Sequence, residues 1–151
     1  MRLKQLEILL ADDDTDDCIF FKEALQELIL PLKLNIVHDG EQLMHYLTNG
    51  RNELPSVLFL DLNMPRKNGF ECLSEIKLSK KLDMLPVIIF STSFEQDVVN
   101  LLYKNGAQHF IRKPSEFSKF KKIIQQSLAL VAQGNISQPL KEDFVLTVHD
   151  N

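Results

Sequence analysis

The stretch that decides the fold is VLFLDLNMPRKNGFECL, residues 57–73. It opens on an apolar run without alternation, which is expected of a strand covered on both faces of a parallel sheet, and it predicts a strand over Ser56–Leu60. The acid Asp61 follows directly, and a loop with proline and glycine then leads into a predicted helix, Phe70–Leu78. The stretch therefore predicts a strand, a carboxylate at its carboxyl end, and a helix that returns along the sheet.

The same unit recurs along the chain on both sides of this stretch. The other predicted strands are Glu7–Ala11, Leu34–Val37, Val87–Phe90 and His109–Ile111, and the other predicted helices are Thr15–Ile29, Glu41–Thr48, Phe94–Lys104 and Phe117–Val131. Five strands alternating with five helices predict an α/β domain, a doubly wound five-stranded parallel sheet with helices on both faces. Such a sheet brings the carboxyl ends of its strands to one edge, where ligands bind.

The first predicted helix carries two finer expectations. Thr15 is expected to cap its start, with Asp16 and Asp17 in the first turn, where the helix dipole favours negative charge. Its buried stripe is expected to consist of residues that recur at helical spacing, namely Ile19, Phe20, Ala24 and Leu28.

Composition excludes several classes of protein. The chain has 151 residues, with 17 basic and 21 acidic side chains and a net charge of −4, which argues against broad nucleic-acid binding. No apolar run approaches the roughly 20 residues of a membrane helix, and the N-terminus has no signal-peptide pattern. Cys18 and Cys72 lack metal-ligand spacing and are expected to be reduced thiols in a cytoplasmic protein.

The end of the chain is expected to form a tail beyond the last helix of the domain. Residues 1–133 are assigned to the domain and residues 134–151 to a tail. Within the tail, Phe144, Leu146 and Val148 alternate with other residues, so an added edge strand and a disordered segment are both open.

Charged and hydroxyl side chains follow four of the five predicted strands: Asp12 and Asp13 after the first, Asp61 after the third, Ser91 after the fourth and Lys113 after the fifth. Alone, each is ordinary, since acids cap helices and serines sit in turns. Together they fit phosphoryl transfer. Neighbouring carboxylates repel one another, and a hard cation such as Mg²⁺ removes that repulsion. Asp61 would attack phosphorus, while Lys113 and Ser91 would hold the phosphoryl oxygens.

Four segments resemble one known family. They are ILLADDD (residues 8–14), VLFLDLNMPRKNGFECL (57–73), PVIIFSTS (86–93) and GAQHFIRKP (106–114). They are similar to the receiver domains of two-component response regulators, and the resemblance covers roughly residues 6–132. It implies a flavodoxin-like, CheY-like sheet with strand order 2-1-3-4-5. It also implies a signalling switch that catalyses only its own phosphorylation and dephosphorylation, and not an enzyme in the ordinary sense.

The resemblance implies a role for each residue at the sheet edge. It makes Asp61 the phosphoacceptor, Lys113 the phosphate-binding lysine and Ser91 the switch hydroxyl. It also implies a Mg²⁺ site, with Mn²⁺ as the alternative metal. The implied ligands are Asp13 directly, Asp12 through water, Asp61, and the backbone carbonyl of Asn63.

The resemblance further implies residues that switch the conformation and residues that set the rate of dephosphorylation. Phe110 stands at the position of the family's aromatic switch residue. Asn63 and Ser93 each lie two residues beyond the acceptor or the switch hydroxyl, at positions that tune dephosphorylation. The Lys113–Pro114 peptide bond is expected to be cis, as is usual in the family.

The partners implied by the resemblance are proteins. A histidine kinase or a histidine phosphotransfer protein would phosphorylate the chain, whose style is similar to receivers that partner cyanobacterial phytochromes. The output would be a downstream protein target, with neither DNA nor a membrane as partner. A homodimer through the face formed by helix four, strand five and helix five is a further option.

Three other interpretations are weighed against this one. A haloacid-dehalogenase-like phosphatase would need a second aspartate two residues after the nucleophile, where this chain has Asn63. A flavodoxin-like electron carrier would need a Ser-, Thr- or Gly-rich phosphate loop after strand one, where this chain has ADDDTDD, residues 11–17. A degenerate receiver that serves only as a docking module remains the alternative within the family.

Overall fold

The computed structural model describes residues 5–50, 53–134 and 137–148. Its strands are β1 (Leu6–Ala11), β2 (Leu32–Val37), β3 (Val57–Leu60), β4 (Val87–Ser91), β5 (His109–Arg112) and β6 (Val145–Leu146). Its α-helices are α1 (Thr15–Gln26), α2 (Gly40–Thr48), α3 (Gly69–Leu78), α4 (Gln96–Lys104) and α5 (Phe117–Ala132), and a short 3₁₀ helix covers Lys141–Asp143. None of the helices in this part of the chain has the length and apolar character needed to cross a bilayer.

The strands form one parallel sheet in the order β2-β1-β3-β4-β5-β6. The order predicted for the first five strands is confirmed, but the predicted number of strands is wrong. The sixth strand pairs with β5, with Phe110 opposite Val145 and Ile111 opposite Leu146. It forms because Phe144, just before it, is buried in the core, which fixes the tail against the β5 edge. Tail residues 135–136 and 149–151 lie outside the described residues.

Helices cover the sheet on both faces, as predicted. Helices α1 and α5 pack on one face around Phe21, Phe59 and Phe90, and α2, α3 and α4 pack on the other around side chains such as Leu58 and Leu60. Successive residues of β3 thus point into different layers, and all four are buried, which explains the unbroken apolar run. The two cysteines, Cys18 and Cys72, are buried free thiols, one in each layer.

The expectations for the first helix are partly wrong. Asp14, and not Thr15, is the N-cap residue, and its side chain accepts a hydrogen bond from the backbone N–H of Asp17. The buried stripe is Cys18, Phe21, Ala24 and Leu25, whereas Ile19 and Phe20 are 48% and 38% exposed. Both sets of residues recur at helical spacing, so periodicity alone could not decide which side of the helix faces the sheet.

The other predicted boundaries agree with the structure within two residues, except that α1 ends at Gln26 and not at Ile29. The prediction of a cis peptide bond at Lys113–Pro114 is wrong, because the structure contains no cis bond among its described residues. Trans is the ground state of an X–Pro bond by about 0.5–1 kcal/mol, so only local packing can favour cis.

Candidate functional site

The carboxyl edge of the sheet gathers the side chains that the sequence pointed to. Asp12 follows β1, Asp61 follows β3, Ser91 ends β4 and Lys113 follows β5. Asp12, Asp61 and Ser91 are buried, and the side chain of Lys113 is only 4% exposed. Four strands that enter the edge in parallel thus place two acids, a hydroxyl and an ammonium in one small region.

Three of the aspartates form a cluster. One carboxylate oxygen from each of Asp12, Asp13 and Asp61 lies within 4.8 Å of the others. Asp12 is held by the backbone N–H of Asp14, which donates to its Oδ1 at 2.9 Å, while Asp13 is exposed to solvent. Clustered carboxylate oxygens, open to solvent on one side, are ligands suited to a hard divalent cation.

The side chain of Lys113 extends across the sheet edge toward Asp12 and Asp61 of this cluster and toward a further acid, Asp17. Its Nζ donates to Asp12 Oδ2 at 2.7 Å and to Asp17 Oδ2 at 2.8 Å, and it lies 3.8 Å from Asp61 Oδ2. The same ammonium lies 5.2 Å from the centre of the Phe90 ring, where a cation–π attraction adds to its binding. Lys113 is thus bonded to Asp12 and Asp17 and only adjacent to Asp61.

Asp17 is a site residue that the sequence reasoning missed, because it was expected only to balance the helix dipole. A signal was available in its position. It lies three residues after the N-cap of α1, and helical side chains tilt toward the N-terminus of their helix, which here faces the strand ends.

The charges of the site perturb one another. Burial raises the pKa of Asp61 to about 7, an effect that Lys113 opposes and Asp12 reinforces. Burial likewise raises the pKa of Asp12 against the hydrogen bond from Lys113. For Lys113, burial acts to lower the pKa, but its hydrogen bonds to Asp12 and Asp17 outweigh burial and raise it. It is therefore unfavourable for the acids to be deprotonated at the same time, and a bound cation would reduce that cost.

The loop after Asp61 is tightly built. The backbone N–H of Asn63 lies 3.4 Å from Asp61 Oδ1, and the Lys67 N–H donates to the Pro65 carbonyl at 2.8 Å, which closes a three-residue turn. Any side chain at Gly69 would collide with the backbone oxygen of Asp61, so only glycine fits there. The loop thus holds Asn63 beside the acid cluster.

Ser91 and Phe110 lie on the other side of Asp61. Ser91 Oγ is 3.3 Å from both the hydroxyl and the backbone nitrogen of Ser93. Phe110 is 1% exposed and packs edge-on against Phe94, with the ring centres 5.7 Å apart. A cavity of about 180 Å³ lies between Phe110, Ser93 and Asn63. Phe110, Ser93 and Asn63 therefore border one small space, and Ser91 is connected to it through its contact with Ser93.

Comparison with known proteins agrees with this geometry. The sequence pattern of the response regulator receiver domain matches residues 8–125. The chain belongs to this family. Receiver domains are signalling switches of two-component systems. Membership of this family rules out the interpretations as a phosphatase and as an electron carrier.

Relatives of this receiver include Response regulator Rcp1 of Synechocystis, which is 32% identical over 122 residues, 78% of this chain and 83% of the relative. Another is the probable methanogenesis regulatory protein FilR2 of Methanothrix harundinacea, 30% identical over 122 residues, 79% of each chain.

Solved structures show the same relation. The phosphorylated cyanobacterial phytochrome response regulator RcpA superposes with a TM-score of 0.82 at 29% identity, covering 87% of this chain and 97% of that one. The Mn²⁺-bound form of Rcp1 has a TM-score of 0.80 at 28% identity, with 89% and 99% covered. The acidic cluster of this receiver accordingly fits a divalent cation site.

Proposed function

We propose that Asp61 is the phosphoacceptor of this receiver and that a histidine kinase or a histidine phosphotransfer protein supplies the phosphoryl group. The observation that carries the proposal is the position of Asp61. One of its oxygens belongs to the acid cluster with Asp12 and Asp13, and its Oδ2 lies 3.8 Å from the ammonium of Lys113. A carboxylate that lies between a cation-binding acid cluster and an ammonium can receive a phosphoryl group, because the two positive charges offset the negative charge of the phosphoryl oxygens.

The transfer needs few protein groups. A carboxylate oxygen of Asp61 forms a bond to phosphorus, the bond from phosphorus to the donor nitrogen breaks, and its electron pair leaves with the imidazole. The product is an acyl phosphate on Asp61. Lys113 and the hydroxyl of Ser91 bind phosphoryl oxygens, so the protein contributes position and charge.

We infer that Mg²⁺ occupies the acid cluster, with Mn²⁺ as an alternative. The donor set fits because carboxylate and carbonyl oxygens are the ligands that such hard cations prefer. When bound, the metal supplies positive charge that offsets the carboxylates and the phosphoryl oxygens. The proposed ligands are Asp13 directly, Asp12 through water, Asp61, and the backbone carbonyl of Asn63.

The first prediction tests the acceptor. With acetyl phosphate and Mg²⁺, the wild-type chain should gain the mass of one phosphoryl group, and Asp61→Asn should gain none because it lacks the nucleophilic oxygen. Intact-protein mass spectrometry measures both. Asp16→Asn is the matched control, since it removes an exposed acid from the neighbouring helix turn.

Two outcomes would contradict the proposal. Equal labelling of Asp61→Asn would move the phosphate to another residue. Absence of labelling in the wild type, from acetyl phosphate and from phosphorylated kinases, would favour the degenerate receiver that acts only as a docking module.

The proposed output is a change in protein binding. Phosphate on Asp61 would draw Ser91 inward and alter the space available to Phe110, which is buried in this structure. Asn63 and Ser93 border the same cavity and would tune the lifetime of the phosphate. The net charge of −4 favours a protein target over DNA, and a histidine kinase partner would place the receiver in the cytoplasm.

One form that this output could take is a homodimer of the receiver. On the face formed by α4, β5 and α5, Leu101 is 48% exposed and available, but Leu102 is buried. Tyr103 is covered by the tail, since its hydroxyl donates to the Pro139 carbonyl at 2.8 Å and its ring packs on Phe144. Elution volumes with and without beryllofluoride would show whether the phosphorylated state dimerises, and identical volumes would leave a different protein as the partner.

A further inference from the structure

We propose that Asp17 is a positioning residue that holds the ammonium of Lys113 away from Asp61, so that the acceptor carboxylate stays free for phosphorus. The functional part of this inference rests on the proposed role of Asp61. Its structural part, the position of the Lys113 ammonium, can be tested separately.

The distances separate bonded from unbonded partners. Lys113 Nζ lies 2.8 Å from Asp17 Oδ2 and 2.7 Å from Asp12 Oδ2, which are both hydrogen bonds. Its distance to Asp61 Oδ2 is 3.8 Å, which is beyond a hydrogen bond. An ammonium has three N–H donors, so two are used and one remains for a phosphoryl oxygen.

Asp17 is itself held firmly. Its backbone N–H donates to the side chain of the N-cap residue Asp14 at 3.1 Å, which fixes the first turn of α1. Its carboxylate is 18% exposed, so the bond to Lys113 forms in a largely dehydrated place, where charge-assisted hydrogen bonds are strong. Asp17 and Asp12 therefore hold the ammonium from two elements at once.

Removal of Asp17 would leave Lys113 with one bonded carboxylate and a second within reach. The lysine side chain is 4% exposed and cannot replace the lost partner fully with water. Attraction would draw its ammonium onto Asp61. A direct bond there would occupy a lone pair of the acceptor and the space that an incoming phosphoryl group needs.

The second prediction compares three variants. We expect Asp17→Ala to be phosphorylated by acetyl phosphate about tenfold more slowly than Asp16→Ala, at saturating Mg²⁺, a factor at the low end for one hydrogen bond to a charged group. Asp16 is exposed in the same helix turn, so its loss matches the change in charge and helix dipole. Asp17→Asn keeps an acceptor oxygen and should restore a rate close to the wild type. The readout is the initial rate of labelling by mass.

Crystal structures supply the second readout. In Asp17→Ala, the distance from Lys113 Nζ to Asp61 Oδ2 should shorten to that of a hydrogen bond, whereas in Asp17→Asn it should not. Equal labelling rates for Asp17→Ala and Asp16→Ala, an Asp17→Asn variant as slow as Asp17→Ala, or an unchanged distance would each overturn the inference. If the wild type is not labelled at all, the proposed function fails, and the two distances still decide where Asp17 holds Lys113.

Discussion

His109 is a single residue whose charge state is linked to folding. It lies on β5, is 9% exposed, and its Nδ1 is 3.2 Å from the Phe144 carbonyl. Burial lowers the pKa of His109 below its ordinary 6.5, although hydrogen bonds to the backbone of Phe144 and Asp143 oppose the shift. The unfolded chain therefore binds a proton at this residue more readily than the folded protein.

The third prediction follows from that sign. The contribution of His109 to stability should be fully present above pH 6.5 and should fall as the pH drops through 6.5 toward the lower pKa of folded His109. His109→Asn keeps an N–H for the Phe144 carbonyl but does not titrate. The free energy of unfolding in urea, measured across this range, should therefore decrease in the wild type relative to the variant as the pH falls, since the other titrating groups, such as Asp61, are common to both. Parallel curves would mean that His109 titrates equally in both states.

Single residues also show how far sequence reasoning reaches. Asp61 and Lys113 could be placed because each follows an apolar strand, and the topology of a parallel sheet then brings them to one edge. The position of Asp17 in the first turn of α1 indicates only that its side chain tilts toward the strand ends, and its bond to Lys113 could not be predicted because that lysine is 96 residues away in sequence. The sequence of α1 is equally compatible with Asp17 as a helix cap, as a partner of the helix dipole or as a partner of a distant lysine, and only the tertiary contact distinguishes these roles.

At the scale of elements, the tail segment, residues 137–148, forms a strap along β5. Gln138 Nε2 donates to the carbonyls of Tyr103 and Ala107, and the Phe110 N–H donates to the Phe144 carbonyl at 3.0 Å. Phe144 is 1% exposed and packs on the ring of Tyr103. The tail is thereby joined to α4 and to the strand that carries the proposed switch residue.

The fourth prediction concerns this strap. Phe144→Ala should lower the free energy of unfolding by about 3–5 kcal/mol, since it empties a buried aromatic site. It should also speed amide exchange at Phe110, whose N–H bonds to this residue. Urea unfolding and hydrogen exchange measure the two effects.

The matched control is Leu140→Ala in the same segment. Leu140 is 66% exposed, so its loss should change stability by less than about 0.5 kcal/mol. An equal and small effect of both variants would mean that the tail does not contribute to the folded core.

Elements were predictable to different degrees. The five strand–helix units could be found because each has its own periodicity and its own breakers, as with Asn105–Gly106, where Gly106 takes a φ of 95° at the end of α4. In the tail, the short alternation of Phe144, Leu146 and Val148 left an edge strand and a disordered segment equally open, and the strand that forms there, Val145–Leu146, has two residues. Its formation depends on the burial of Phe144 between distant elements.

At the scale of the whole molecule, the acid cluster links metal binding to stability. Asp12, Asp13 and Asp61 repel one another in the fold, and their oxygens are dispersed when the chain unfolds. The fifth prediction is that Mg²⁺ raises the free energy of unfolding, by about 2.7 kcal/mol at a free concentration 100 times its Kd. Thermal unfolding at increasing Mg²⁺, and again after chelation, measures the effect.

Asp13→Asn should shift this stabilisation to higher Mg²⁺ concentrations, because it removes one charged ligand at an exposed position without disturbing the core. Asp16→Asn, with the same change in net charge, should respond like the wild type. Identical responses in the two variants would show that the acids serve only as helix caps.

The sixth strand also limits how copies of this chain can associate edge to edge. Within the described residues, the sheet ends on one side with β2, six residues long, and on the other with β6, two residues long. A short strand offers few free N–H and C=O groups to a further strand. Growth of the sheet from copy to copy would need two usable edges, so pairing through β2 would end at two molecules, a closed pair and not a fibre.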